Sequence, residues 1–358
     1  MAKPILDDLV AIKKLDSQDM LASLQLLSNQ IRQICQQVKA VKLPISYKKI
    51  DKVLILGMGG SALCAHVVKT LFSKELKVPV EIVGDYHLPG YVNNKTLVIA
   101  SSYSGTTEEV LSSAREAKQK KTKLLVIASG NKLVAWAKAQ SVPALIFSTE
   151  NNPCRQPRMG LGYMIVGHLL LWAKTGILKF SQSQIKAMIK TAALYDTKFG
   201  VLTLSKENLA KQLAKLTNRR SVWYIGSEHL VGNTHVAANQ MNENGKRFAG
   251  YFLIPELNHH LLEGIDNPSS NQRNLLFVLL ESKLYDERVQ KRYKITEQIL
   301  QKNNICYDKY LCQEKDKVLQ MIEVLVLSSY VGYYAALLKG IDPNLIPYVN
   351  YFKQKMKK

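Results

Sequence analysis

Two stretches set hydroxyl groups beside glycines directly after apolar runs. Gly57-Met-Gly-Gly-Ser61 follows Lys52-Val-Leu-Ile-Leu56, and Ser101-Ser-Tyr-Ser-Gly-Thr-Thr107 follows Thr96-Leu-Val-Ile-Ala100. Each reads as a buried strand, a tight loop and a helix N-terminus. The unpaired N–H groups and positive dipole end of such a helix attract an anion. Ser61, Ser102, Ser104, Thr106 and Thr107 would add hydroxyls, so one compact phosphate gripped from two sides is the chemistry this pattern suits. Two other readings stand beside it. Thr106 or Thr107 could simply cap the helix, with Glu108 and Glu109 offsetting its dipole. Gly57, Gly59 and Ala62 also fit the dinucleotide spacing G-x-G-x-x-A, with Glu81 near the expected distance downstream, which keeps a nicotinamide-dependent dehydrogenase in play. A second hydroxyl-rich loop would be redundant in that enzyme.

The elements that must position these loops alternate along the chain. Residues 17–40 carry apolar positions at three- and four-residue spacing and read as an amphipathic helical leader. Strands are expected at 52–57, 78–83, 96–100, 123–128 and 144–147, with helices at 62–72, 107–119 and 132–140. A polar, proline-broken connector (149–158) leads to a buried helix at 159–178, and helices at 181–199 and 205–216 follow. A second half then restarts with Ser221-Val-Trp-Tyr-Ile-Gly226, a loop at 227–232 and a helix at 234–242. Strands at 251–254, 275–280 and 305–309 and helices at 285–301 and 315–339 complete it. The expected fold class is α/β: two lobes, 1–178 and 179–358, each a mainly parallel sheet flanked by helices, related as a diverged duplication.

Bulk properties narrow the function. The chain has 358 residues, 47% hydrophobic and 22% charged, as in ordinary soluble domains. Five cysteines are scattered without a CxxC pair, which argues against a disulfide framework or zinc site and for a reducing cytoplasm. No metal and no cofactor are expected. Residues 1–14 lack the long apolar core of a signal peptide, and the apolar run 159–178 carries glycines, His168 and Lys174, so no membrane association is expected. The net charge of +21 raises nucleic acid as a partner. Its lysines are dispersed, however, with local runs only at 118–123 and 353–358, and no nucleic-acid-binding motif accompanies them. Solvated helix faces account for them better.

Together, Gly57-Met-Gly-Gly-Ser61 and Ser102-Tyr-Ser-Gly-Thr-Thr-Glu108 resemble the sugar isomerase (SIS) domain. Leu15-Asp-Ser-Gln-Asp-Met20, Pro157-Arg-Met-Gly-Leu-Gly162, Glu243-Asn-Gly-Lys246, Pro255-Glu-Leu-Asn-His-His260 and Tyr348-Val-Asn-Tyr-Phe-Lys353 are similar to segments of the bifunctional phosphoglucose/phosphomannose isomerase family, in the same order. The resemblance departs at Thr106 and His260, where the family usually has asparagine, and at Met159-Gly160, where alanines are common.

This resemblance implies an aldose–ketose isomerase working through an enediolate on glucose 6-phosphate, fructose 6-phosphate and mannose 6-phosphate. Gly60, Ser61, Ser102, Ser104 and Thr107 would seat the phosphate. Glu243 would carry the proton between C1 and C2, and Arg158 would stabilise the enediolate, with Arg155 the competing arginine. His259 would assist ring opening, reaching the site from the partner in a homodimer, with His260 as the alternative. Lys353 would hydrogen-bond the sugar. Another SIS isomerase or a non-catalytic sugar-phosphate-binding protein ranks next, and the dehydrogenase last.

Overall fold

In the computed structural model, which describes residues 4–356, two parallel sheets follow one another along the chain. Helices α1 (Leu9–Leu15), α2 (Met20–Gln25) and α3 (Leu27–Gln37) precede the first sheet. Its strands are β1 (Lys52–Leu56), β2 (Val80–Val83), β3 (Thr96–Ser102), β4 (Lys123–Ala128) and β5 (Ala144–Ile146), in the order β2-β1-β3-β4-β5. Helix α4 (Gly59–Leu71) follows β1, α5 (Glu108–Gln119) follows β3, and α6 (Asn131–Ala139) follows β4. Helices α7 (Leu161–Lys174), α8 (Gln182–Phe199) and α9 (Leu209–Leu216) carry the chain to the second sheet. There β6 (Ser221–Gly226), β7 (Ala249–Leu253), β8 (Leu275–Glu281) and β9 (Cys306–Leu311) lie in the order β7-β6-β8-β9. Helix α10 (Val231–Glu243) joins β6 to β7; α11 (Asn271–Asn274), α12 (Glu287–Lys302), α13 (Lys317–Leu338) and α14 (Pro347–Met356) complete the chain. The first four strands of each lobe share one winding, as a duplication requires.

Period-two alternation divides the first sheet between two apolar layers. Val53, Ile55, Leu97, Ile99, Leu125 and Ile127 face the large core that continues through α7, α10 and α13 into the second lobe. Leu54, Leu56, Val98, Ala100, Leu124 and Val126 face a smaller core beneath α5 and α6. The lobes therefore share one continuous apolar interior, and α4 packs directly on α10. Gly232 makes that approach possible: a Cβ there would fall 2.4 Å from the Val67 Cα. Helix α13 is long and apolar enough to cross a membrane, yet 94% of its most apolar window is buried inside the protein, as a central core helix should be.

Local chemistry moved several expected boundaries. The leader is interrupted at Leu26, and its start is set at Met20 by the Asp16 carboxylate, which accepts the Met20 and Leu21 N–H groups. The helix expected from 205 begins only at Leu209. Asn208 accepts the Lys211 N–H while its amide donates to the Phe199 and Gly200 carbonyls, holding residues 200–208 in a turn. The helix expected over 159–178 is a 3-10 turn, Pro157–Met159, followed by α7, and the lysine-rich stretch from Pro347 to Met356 is the helix α14.

Candidate active site at the junction of the lobes

Both hydroxyl loops lie at the carboxyl ends of adjacent strands, β1 and β3. They are built into each other: Ser61 Oγ accepts the Tyr103 N–H at 2.9 Å. Ser102 Oγ accepts the Gly105 N–H at 3.0 Å and shares a hydrogen bond with Thr107 Oγ1 at 2.8 Å, while Ser104 and Thr106 pair at 2.9 Å. The turn needs glycine at 105. Its φ is +69°, and a Cβ would meet the Gly130 carbonyl oxygen at 1.9 Å. From below, the β4–α6 loop braces it through Asn131 Nδ2 to the Ser104 carbonyl and Ser129 Oγ to the Tyr103 carbonyl.

The capping alternative is contradicted. Thr107 is the N-cap of α5, but its side chain makes no cap hydrogen bond, because Oγ1 turns to Ser102. Thr106 is occupied with Ser104. Met58 likewise leaves α4 without a side-chain cap. Ser181, Asn208, Asp286 and Asp316 do cap α8, α9, α12 and α13. At α4 and α5, as at α2, α3, α6, α7 and α10, the N-cap residue makes no side-chain cap hydrogen bond, and at α4 the Ser61 N–H donates to the Met58 carbonyl; the N–H groups that remain could meet an anion.

Arg158 stands over this seat, since a Cβ on Gly60 would lie 3.8 Å from the Arg158 Cα. Its side chain is buried, and its donors tie three segments together. Nε donates to Asn244 Oδ1 at 2.6 Å, Nη1 to Gln156 Oε1 at 2.9 Å, and Nη2 to the Pro343 and Asn344 carbonyls at 3.3 and 2.9 Å. A guanidinium has five N–H donors. One, on Nη1, has no partner among the described residues. Burial pushes the Arg158 pKa down, and the nearby Glu243 carboxylate pulls it back up. Arg155, by contrast, is exposed.

Glu243 is half-buried at the C-terminal end of α10, next to Asn244. The structure thus brings Gly60, Ser61, Ser102, Ser104, Thr107, Arg158 and Glu243 to one region. It does not bring His259 there within the single chain. Asn242, beside Glu243, exchanges hydrogen bonds with Ala249 at the start of β7, whereas His259 lies on the exposed turn beyond the end of β7. His260 is also exposed and pairs with Glu256. Lys353 lies on α14, none of whose described residues is buried.

Six residues that received no role from the sequence complete the cluster: Lys246, Asn244, Gln156, Gln18, Asp16 and Ser17. Lys246 donates to the Glu243, Pro343 and Leu345 carbonyls. Asn244 and Gln156 hold Arg158, and Gln156 is held in turn by Gln18 at 3.0 Å. Asp16 accepts from Asn344 Nδ2 and from the Tyr333 hydroxyl, and Ser17 donates to Asp342. The 15–20 segment therefore fixes the 342–345 strap that Arg158 and Lys246 grip. The available signal was Lys246 itself, the last residue of the family-like segment Glu243-Asn-Gly-Lys246.

Burial, with the Arg158 charge second, lowers the Lys246 pKa to about 8, from an ordinary 10.5. The folded protein therefore resists protonating Lys246. That cost is absent above about 10.5, grows as pH falls and is complete below about 8. Between pH 7.5 and 9.5, wild-type stability should rise relative to Lys246→Met in urea unfolding. Parallel pH dependences would remove the perturbed lysine.

The SIS domain family model matches residues 46–150, and the bacterial phospho-glucose isomerase C-terminal SIS domain model matches 206–356. A bifunctional phosphoglucose/phosphomannose isomerase of Caldicellulosiruptor bescii is 30% identical over 342 residues, covering 94% of this chain and 98% of the relative. One from Aquifex aeolicus is 29% identical, covering 86% and 90%. A hypothetical protein of Thermus thermophilus shares the fold with a TM-score of 0.75 at 16% identity, covering 99% of this chain and 94% of that one. A relative 30% identical and matched nearly end to end places the chain in the bifunctional phosphoglucose/phosphomannose isomerase family.

Proposed function

We propose that this protein interconverts glucose 6-phosphate and mannose 6-phosphate with fructose 6-phosphate through a cis-enediolate. One observation carries the reading: Glu243 and an Arg158 with one unspent donor sit together beside a phosphate seat whose helix N-termini lack side-chain caps. The phosphate binds at Gly60, Ser61, Ser102, Ser104 and Thr107. Glu243 takes the proton from C2 of the open-chain aldose and returns it to C1. The enediolate oxygen meets a positive charge that is already fixed in place, so little reorganisation is needed as charge develops. Glucose and mannose 6-phosphates differ only at C2 and give the same enediolate, so one base serves both once rotation about C2–C3 turns either epimer's C2–H towards it.

Ring opening needs a proton donor and acceptor near neutral pH, and His259 suits that role from a second copy of the chain. Its position, at the opposite end of β7 from Glu243, supports a homodimer in which each site borrows the partner's histidine. Helix α14 supports the same arrangement, because Tyr348, Tyr351 and Phe352 are left exposed in the single chain. Lys353, on that helix, would reach the sugar within this assembly. All five cysteines are free thiols, as a reducing cytoplasm would keep them.

A coupled assay with both aldose phosphates tests the reading. Glu243→Gln, isosteric but unable to act as a base, should fold normally and lose about 10²–10⁴ in kcat on each substrate. Retained turnover would take Glu243 out of the mechanism. Co-refolding Glu243→Gln with His259→Ala tests the shared site. Mixed dimers contain one complete site, so about a quarter of wild-type activity should return from two inactive partners. If no activity returns, the histidine is not shared.

A further inference from the structure

Each sheet has a point where the winding reverses: between β1 and β3 in the first, between β6 and β8 in the second. In open α/β sheets, ligands bind beyond the carboxyl ends of the strands at such a point. The first crevice is the site described above. The second holds a cavity of about 440 Å³ that the isomerase reading leaves unused. That is ample for a small-molecule ligand.

Its lining is cationic and spans both lobes. Arg288, Arg292 and Lys317 reach it from the second lobe, and Lys74 from the turn after α4 in the first. Two of its three acids are engaged: Glu228 accepts the Asp286 N–H at 2.7 Å, and Asp286 caps α12 and pairs with Arg288. Among the described residues no ion pair holds Lys74 or Lys317.

His229 gives the cavity wall an uncharged imidazole beside these cations. It lines the cavity, is 3% exposed, and contacts Gln320 Oε1 through Nε2 at 2.8 Å. Gln320 Nε2 donates to the Glu314 carbonyl, so its oxygen is the acceptor and His229 Nε2 the donor. Burial, aided by Lys317, keeps the ring neutral at ordinary pH. Nδ1 is then a buried lone pair, and it has no partner.

We propose that this crevice binds a second small molecule carrying a phosphate, held by Lys74 and Lys317. Because the lining comes from both lobes, such a ligand would clasp them together at a distance from Glu243. The inference stands independently of the isomerase assignment.

Calorimetric titration with 6-phosphogluconate, a sugar phosphate that cannot be isomerised, tests it. The comparison is wild type against the double variant Lys74→Glu, Lys317→Glu. An acidic residue in the first turn of α13 suits the helix dipole, and Lys74 is exposed, so both changes should be tolerated. The variant should lose one binding event per chain and keep wild-type kcat and KM on glucose 6-phosphate. Equal numbers of binding events in the two proteins would overturn the proposal. So would loss of the event together with loss of turnover, which would place the ligand in the first site.

Discussion

The site depends on keeping one guanidinium out of water. Arg158 reaches the end of α10 beside Glu243, a connector and the 342–345 strap through four hydrogen bonds, and each of those segments belongs to a different stretch of sequence. Removing such a charge from water costs several kcal/mol unless its donors are met. Here Asn244, Gln156 and two backbone carbonyls meet four of them, and the fifth donor is left over. A lysine could not substitute, because a single ammonium cannot present a planar fork to three segments. Much of the surrounding polar structure serves this arrangement: Gln18 holds Gln156, Asp16 and Ser17 hold the strap, and Lys246 closes it.

The contrast between the two lobes shows how one winding acquires different chemistry. The first lobe places glycine and small hydroxyl residues at its reversal point and leaves the helix N-termini uncapped, so backbone N–H groups can meet the ligand. In the second, α10 after β6 also lacks an N-cap side-chain hydrogen bond, but Asp286 caps α12 after β8, and long cationic side chains line the crevice. The shared apolar interior and the close packing of α4 on α10 hold the two halves in register, so Glu243 from one lobe lies near Arg158 of the other.

Much of this was legible in the residues. Continuous β-branched runs such as Thr96–Ala100 and Lys123–Ala128 mark buried parallel strands, and β4 and β6 begin and end where the pattern says. The glycine–hydroxyl loops are local, so their chemistry is visible in the order of residues. Three things were not legible. Side-chain caps decide helix starts within a few residues, as at Asn208, and apolar periodicity is blind to them. The end of the chain reads as solvated lysine until Tyr348, Val349 and Phe352 are seen on one helix. Lastly, the roles of Asp16, Gln156 and Lys246 arise from contacts between distant segments, which no local pattern encodes.

The central claim is that Glu243 moves a proton between adjacent carbons while Arg158 holds the enediolate. The most direct measurement follows fructose 6-phosphate turnover in D2O by proton NMR. A base-mediated enediolate lets the carried proton exchange with solvent, so the aldose products should contain deuterium at C2. Products free of deuterium at C2, even under slow turnover, would mean a direct hydride shift and would contradict this account.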